Sequence, residues 1–174
     1  MPGRVFEEVV LPHLDAAFNY ARWLTKSDAD AEDVVQDATV RALRFFSSLR
    51  NDDARAWLLT IVRNTWYARF SKGSRANQHE LLEQTDQRPD EQLDPEALVM
   101  QRQTIERVQR ALGELPVDFR EVIVLRELEG LSYKEIAAVV GVPIGTVMSR
   151  LARGRERLLA VLASQPTGGG RELF

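Results

Sequence analysis

Thr146, Ser149, Arg150, Arg153 and Arg157 recur at intervals of three and four residues, the spacing that sets side chains on one face of an α-helix. Two are short hydroxyls and three are guanidiniums. Arginine pairs bidentately with guanine in a major groove, and hydroxyls reach phosphates or base edges. Val147, Leu151 and Leu158 lie on the opposite side of the same stretch, so this helix has an apolar back to pack and a polar front to present. The residues before it supply a frame: positions 131–151 read LSYKEIAAVVGVPIGTVMSRL, a helix, a tight turn and a second helix. Ser132 and Glu135 form a Ser-x-x-Glu capping box. Ile136, Ala137 and Val140 follow at helical spacing, Gly141 ends the first helix, and Pro143 opens the second. The plain alternative is a helical hairpin with a solvated basic face, because short patterns of this kind recur by chance.

Two further sets carry chemistry. Thr60, Arg63, Asn64 and Tyr67 occupy one helical face opposite an apolar arc of Trp57, Leu58, Ile61, Val62, Thr65 and Ala68, and Arg69, Lys72 and Arg75 extend its positive end. Arginine for phosphates, an aromatic ring for stacking and an amide for a base edge suit single-stranded nucleic acid. Trp57 reads as core; Trp66, at the rim of the arc, reads as core or wedge. The other set is acidic: Asp28, Asp30, Glu32, Asp33 and Asp37 crowd the first turns of a helix. The helix dipole favours acids there, but five exceed what capping needs. They form either a solvated face or a docking face for a basic or amide-rich partner helix.

The elements that must position these sets are all helical. Periodicity predicts one amphipathic helix over residues 5–24, a second over 28–46 capped by Ser27-Asp28, and a polar loop over 47–56. A third long helix follows over 54–71, then one over 95–115 stopped by Pro116, and one over 117–129 closed by Gly130. Residues 73–96, acidic and with two prolines, read as a flexible linker, and the Gly-rich stretch after Leu162 reads as a mobile tail. The net charge of −3 hides a segregation: residues 1–40 sum to −5, 41–75 to +6, 76–96 to −6 and 97–174 to +2. Two basic zones separated by acid suggest two polyanion contacts. The chain has no cysteine, and His13 and His79 each stand alone, so neither thiolate chemistry nor a metal or other cofactor is expected. Phosphate loops, paired-carboxylate sites and nucleophile motifs are absent from the sequence, and an enzyme is not expected. Apolar runs are too short to span a bilayer, so no membrane insertion and a cytoplasmic location are the expectation.

Positions 115–158, LPVDFREVIVLRELEGLSYKEIAAVVGVPIGTVMSRLARGRERL, resemble the promoter-reading C-terminal domain of bacterial RNA polymerase sigma factors, in the extracytoplasmic-function class of the sigma-70 family. DADAEDVVQDATVRALRFF and ARAWLLTIVRNTWYARF resemble that family's N-terminal promoter-melting domain. The resemblance implies an all-α fold of two small helical domains, at 1–74 and 97–163, with a linker at 75–96 and a tail at 164–174. It implies docking of Asp30, Glu32, Asp33, Val34, Gln36 and Asp37 on the clamp coiled coil of core RNA polymerase, with a second contact on the polymerase flap. The loop at 47–56 would hold a base flipped from the minus-ten element, with Asn64 nearby. Arg63 and Tyr67 would face the opened strand, with Arg55, Thr60 and Arg69 in the same set. Thr146, Ser149, Arg150, Arg153 and Arg157 would read the minus-thirty-five element of duplex promoter DNA. An anti-sigma factor is the expected regulator. Many relatives carry an acid where Ala68 stands. The alternatives are a self-sufficient helix-turn-helix regulator, a sigma mimic that titrates an anti-sigma factor, and a weakly marked hydrolase.

Overall fold

The computed structural model describes residues 5–50, 53–70 and 94–165. The expected linker at 75–96, apart from its last three residues, and the tail from 166 onward lie outside them. The described residues form helices and no strand. The first expected helix is broken: α1 (Phe6–Val9) leads into a 3₁₀ turn over Leu11–His13 before α2 (Leu14–Thr25). Pro12 causes the break, since it cannot donate an amide proton and its ring clashes with the preceding turn. Lys26, with φ of 54°, caps α2 by donating its amide to Arg22 O. Ser27 then caps α3 (Asp28–Arg44), accepting from the Asp30 amide at 3.3 Å.

Helices α2 and α3 pack on each other and on α4 (Ala54–Phe70). Ala31, Val34, Ala38 and Ala42 form the buried stripe of α3; three alanines let it lie close. Tyr20, Leu24, Leu58, Leu59 and Val62 fill the space between. The buried residues of α4 (Ala54, Ala56, Leu58, Leu59, Val62 and Thr65) spread around more than one side, because α4 is packed against α2 and α3 and also against α7.

The C-terminal half opens with α5 (Pro95–Glu114), capped by Asp94, so Pro95 and Glu96 belong to a helix and not to the linker. After Pro116 comes α6 (Val117–Ile123), which widens into one π-helical turn over Val124–Leu128 before Gly130, at φ of 67°, closes it. The capping box at Ser132 and Glu135 starts α7 (Tyr133–Val140), with both hydrogen bonds present at 2.7 and 3.1 Å. Gly141, at φ of 74°, ends it. Pro143 is the N-cap of α8 (Ile144–Ser164), one position earlier than expected. The α7 and α8 axes bend by 99°, the geometry of a helix-turn-helix. Among the described residues, no single helix is long and apolar enough to cross a membrane.

Gly154 sets how closely α8 approaches α6. A Cβ there would lie 2.8 Å from Ile123 Cδ1 and 3.3 Å from Phe119 Cβ. Gly154→Val is expected to destabilise the chain by about 1–3 kcal/mol through overpacking. At Gly145 an added Cβ meets nothing within 4 Å, so Gly145→Ala should be neutral or slightly stabilising, as helix propensity favours alanine by about 1 kcal/mol. Urea denaturation midpoints check this; equal shifts for the two variants would show that the α6–α8 approach is not tight.

Candidate nucleic-acid interface

Helix α8 buries Val147 and Leu151 against the domain and half-buries Leu158. Its outer side carries Ser149 and Arg153, both exposed, flanked by half-buried Thr146 and Arg150. The Ser149 hydroxyl donates to Gly145 O at 2.9 Å and keeps its lone pairs outward. Arg157 stands differently: its guanidinium stacks 4.8 Å over the Phe119 ring, so it braces α6 as well as extending the basic face. Two residues that sequence reasoning passed over join this surface. Ile144 and Met148 are 45% and 53% exposed at the start of α8, where apolar groups can meet thymine methyls. Their signal was available, as both are large apolar residues out of phase with the buried stripe. Arg155 is tied to Glu127 at 2.7 Å, holding α8 to the π turn.

The second set lies on α4, where positions 56, 60, 63 and 67 share a face. Ala56 is buried, Thr60 half-buried and donating to Ala56 O at 2.9 Å, while Tyr67 and Asn64 are exposed. Arg63 is only 13% exposed, because the C-terminal helices cover this part of the stripe. Its Nε and Nη2 donate to the two carboxylate oxygens of Glu121, at 2.8 and 3.0 Å, and its guanidinium lies 4.5 Å from the centre of the Tyr67 ring. Tyr20 Oη donates to the same carboxylate at 3.0 Å. Burial works against the charge on Arg63, but the hydrogen bonds and charge of Glu121 outweigh it and raise its pKa. Burial, then the Glu121 charge, pushes the Tyr20 phenol well above its ordinary value.

More carboxylates follow along the same seam. Glu129 accepts from Asn19 Nδ2 at 2.7 Å, and its pKa is raised by burial, with Asn19 and the positive charge of Arg55 acting against the rise. The Asp53 carboxyl shares a hydrogen bond with Glu135, which raises Asp53 and lowers Glu135; Arg55 acts on both. Arg120 crosses the seam the other way, donating to Trp23 O at 2.7 Å and to Leu115 O at 2.9 Å. Trp57 is half-buried against the core, as is Trp66, whose ring meets Tyr67 edge-on at 4.8 Å.

On α3, Glu32, Asp33, Gln36 and Asp37 are exposed and Asp30 is half-buried. Val34 is not part of this face. It is fully buried, because it continues the stripe of Ala31, Ala38 and Ala42, so its expected place in a docking surface is withdrawn. Arg69 of α4 reaches across to Asp37 at 2.6 Å and Asp33 at 3.7 Å. The structure thus pairs a residue expected at nucleic acid with two expected at a protein partner. All three are well exposed, and such pairs contribute about 0–1 kcal/mol, so either partner can be exchanged for another.

Residues 9–76 match the family described as Sigma-70 region 2, and residues 105–158 the one described as Sigma-70, region 4. The chain is 35% identical to the ECF RNA polymerase sigma factor SigE of Mycolicibacterium smegmatis, over 91% of this chain and 62% of that protein. It therefore spans somewhat under two thirds of that relative's length. It is 36% identical to the ECF RNA polymerase sigma-E factor of Escherichia coli, over 74% of this chain and 72% of that one. Among solved structures, it resembles the sigma factor RpoE in complex with the anti-sigma factor NepR from Bartonella quintana. That match has a TM-score of 0.70 and 30% identity, covering 92% of this chain and 98% of the other. CnrH in complex with the cytosolic domain of CnrY gives a TM-score of 0.64 at 30% identity, over 92% and 89%.

The two ends of the α8 face should behave differently. Arg150→Ala should relax preference at one base pair of a duplex site, by about 1–3 kcal/mol if the contact is bidentate to guanine. Arg157→Ala should lower affinity for all sequences alike, reduce the salt slope by about one phosphate's share and lower the thermal midpoint through loss of the Phe119 stack. Binding to a panel of single-base variants at two salt concentrations, with a melting curve for each protein, checks this. A uniform loss from both would make Arg150 a backbone clamp.

Proposed function

The chain belongs to the extracytoplasmic-function sigma factors of the sigma-70 family, and from that premise we propose that it binds core RNA polymerase and directs it to promoters. The observation that carries this is the helix-turn-helix bent by 99° whose outer face presents Thr146, Ser149, Arg150 and Arg153, in one chain with the α4 stripe of Thr60, Arg63, Asn64 and Tyr67. The α8 face would take the minus-thirty-five duplex. The α4 stripe, with Arg55 and Arg69 beside it, would take the opened minus-ten strand. Flipping a base out of the duplex costs a few kcal/mol, and an anchored duplex contact keeps the protein in place while the strand opens.

Asp30, Glu32, Asp33, Gln36 and Asp37 on α3 would dock on the clamp of the polymerase, and the C-terminal half on its flap. An anti-sigma factor is proposed as the regulator, since the solved relatives RpoE and CnrH are bound to NepR and CnrY. The role is regulatory and not catalytic, and it places the protein in the cytoplasm with the polymerase. Transcription from a genomic fragment library with purified core enzyme, followed by start-site mapping, tests the reading. A self-sufficient regulator would give no promoter-specific transcripts in that assay.

Docking through α3 yields a further expectation. Asp33→Arg combined with Asp37→Arg should weaken holoenzyme formation tenfold or more, roughly the effect of placing like charges at a complementary interface, while leaving the helical content intact. Titration of labelled core polymerase at physiological salt checks it; unchanged affinity would remove α3 from the interface.

A further inference from the structure

We propose that Glu121 is an internal stand-in for nucleic-acid phosphate, holding the chain closed by occupying the part of the α4 face around Arg63 that otherwise takes the opened promoter strand. The proposal rests on the sigma reading for the identity of the competing ligand, but closure itself is read from the seam. Every hydrogen bond described for the Glu121 side chain comes from the N-terminal helices, two from Arg63 and one from Tyr20. Yet Glu121 is only 1% exposed, a place where an unpaired carboxylate is strongly disfavoured. The described hydrogen bonds of this carboxylate are thus all made across the seam, and in the closed chain they replace the water it would otherwise hold.

The seam covers Arg63 of the nucleic-acid stripe, while Asn64 and Tyr67 stay exposed. Arg63 lies on Glu121, and Arg55 acts electrostatically on Glu129 and Glu135. A carboxylate presents two oxygens to a guanidinium fork as a phosphate does. A promoter strand and Glu121 cannot both hold the Nε and Nη2 of Arg63. Parting the halves returns Glu121, Arg63, Tyr20, Asn19 and Glu129 to water, which satisfies them again and offsets part of the cost of opening. An aliphatic seam of the same size has no such alternative.

The chain has no native cysteine, so dyes placed at exposed Arg44→Cys and Ala160→Cys report the separation of the halves by energy transfer in the full protein. Glu121→Gln should lower the transfer efficiency and raise affinity for a single-stranded oligonucleotide carrying the non-template minus-ten sequence by about tenfold, as the competent fraction grows. Arg63→Gln should lower the transfer efficiency equally but reduce that affinity. Tyr20→Phe, which removes one hydrogen bond and no charge, should shift both readouts in the direction of Glu121→Gln by less, and serves if Glu121→Gln fails to fold by circular dichroism. Unchanged transfer in Glu121→Gln, or lowered transfer with no gain in strand affinity, overturns the proposal. Promoter-specific transcription by the unaltered chain is measured in parallel. Its loss would count against the sigma reading, whereas failure of closure or masking alone would leave it intact.

Discussion

Everything in the arrangement of the two halves turns on one buried carboxylate. Glu121 is enclosed beside Leu125, Val122 and the α2–α4 surface, in an environment where a bare charge is not tolerated. Arg63 supplies the opposite charge and Tyr20 a further donor, so inside the closed seam the three side chains satisfy one another. Removing one member of such a buried pair costs about 3–5 kcal/mol, although the intact pair contributes little beyond what a hydrophobic contact would. The triad accordingly does more to fix which surfaces meet than to glue them. Arg120, the next residue, carries out the converse task by donating to backbone carbonyls on both sides.

Helix α4 is shaped by having to satisfy two neighbours. One side is ordinary core, with Leu58, Leu59 and Val62 against α2 and α3. The other side mixes Ala56, Thr60 and Arg63, small or polar residues that a permanent interior would have little reason to select. That mixture is what a surface needs if it is sometimes covered by protein and sometimes by a polyanion. Arg69 with Asp33 and Asp37 repeats the theme at the rim, where exposure keeps each ion pair weak and exchangeable.

What could be read from the amino-acid order was what depends on neighbours a few residues away. The Ser132–Glu135 box, the Ser27 cap, the left-handed glycines at 130 and 141 and the apolar back of α8 are all local, and each stands where expected. Pro12 was a local signal too, but the hydrophobic periodicity across it hid the break. Val34 shows a different limit: its place in the docking set came from the family resemblance, whereas its spacing from Ala31 and Ala38 puts it in the core. The seam was not legible at all. Its hydrogen bonds join residues 58 and 101 positions apart, and no periodicity records which distant acid an arginine will meet.

The π-helical turn after α6 has a consequence for the length of the chain as well as its chemistry. Eight residues of regular α-helix, at 3.6 per turn, rotate roughly 80° past the starting face, which would turn Glu129 away from the side on which Glu121 sits. The wider i→i+5 turn over Val124–Leu128 absorbs one residue of that excess, so the two acids return to the same side and meet Asn19 and Arg63. A kindred chain shorter by one residue at this point would set the two acids seven apart, within about 20° of one face on a regular α-helix, and would need no wide turn. Keeping all eight residues while straightening the turn into α-helix is the change that would part them.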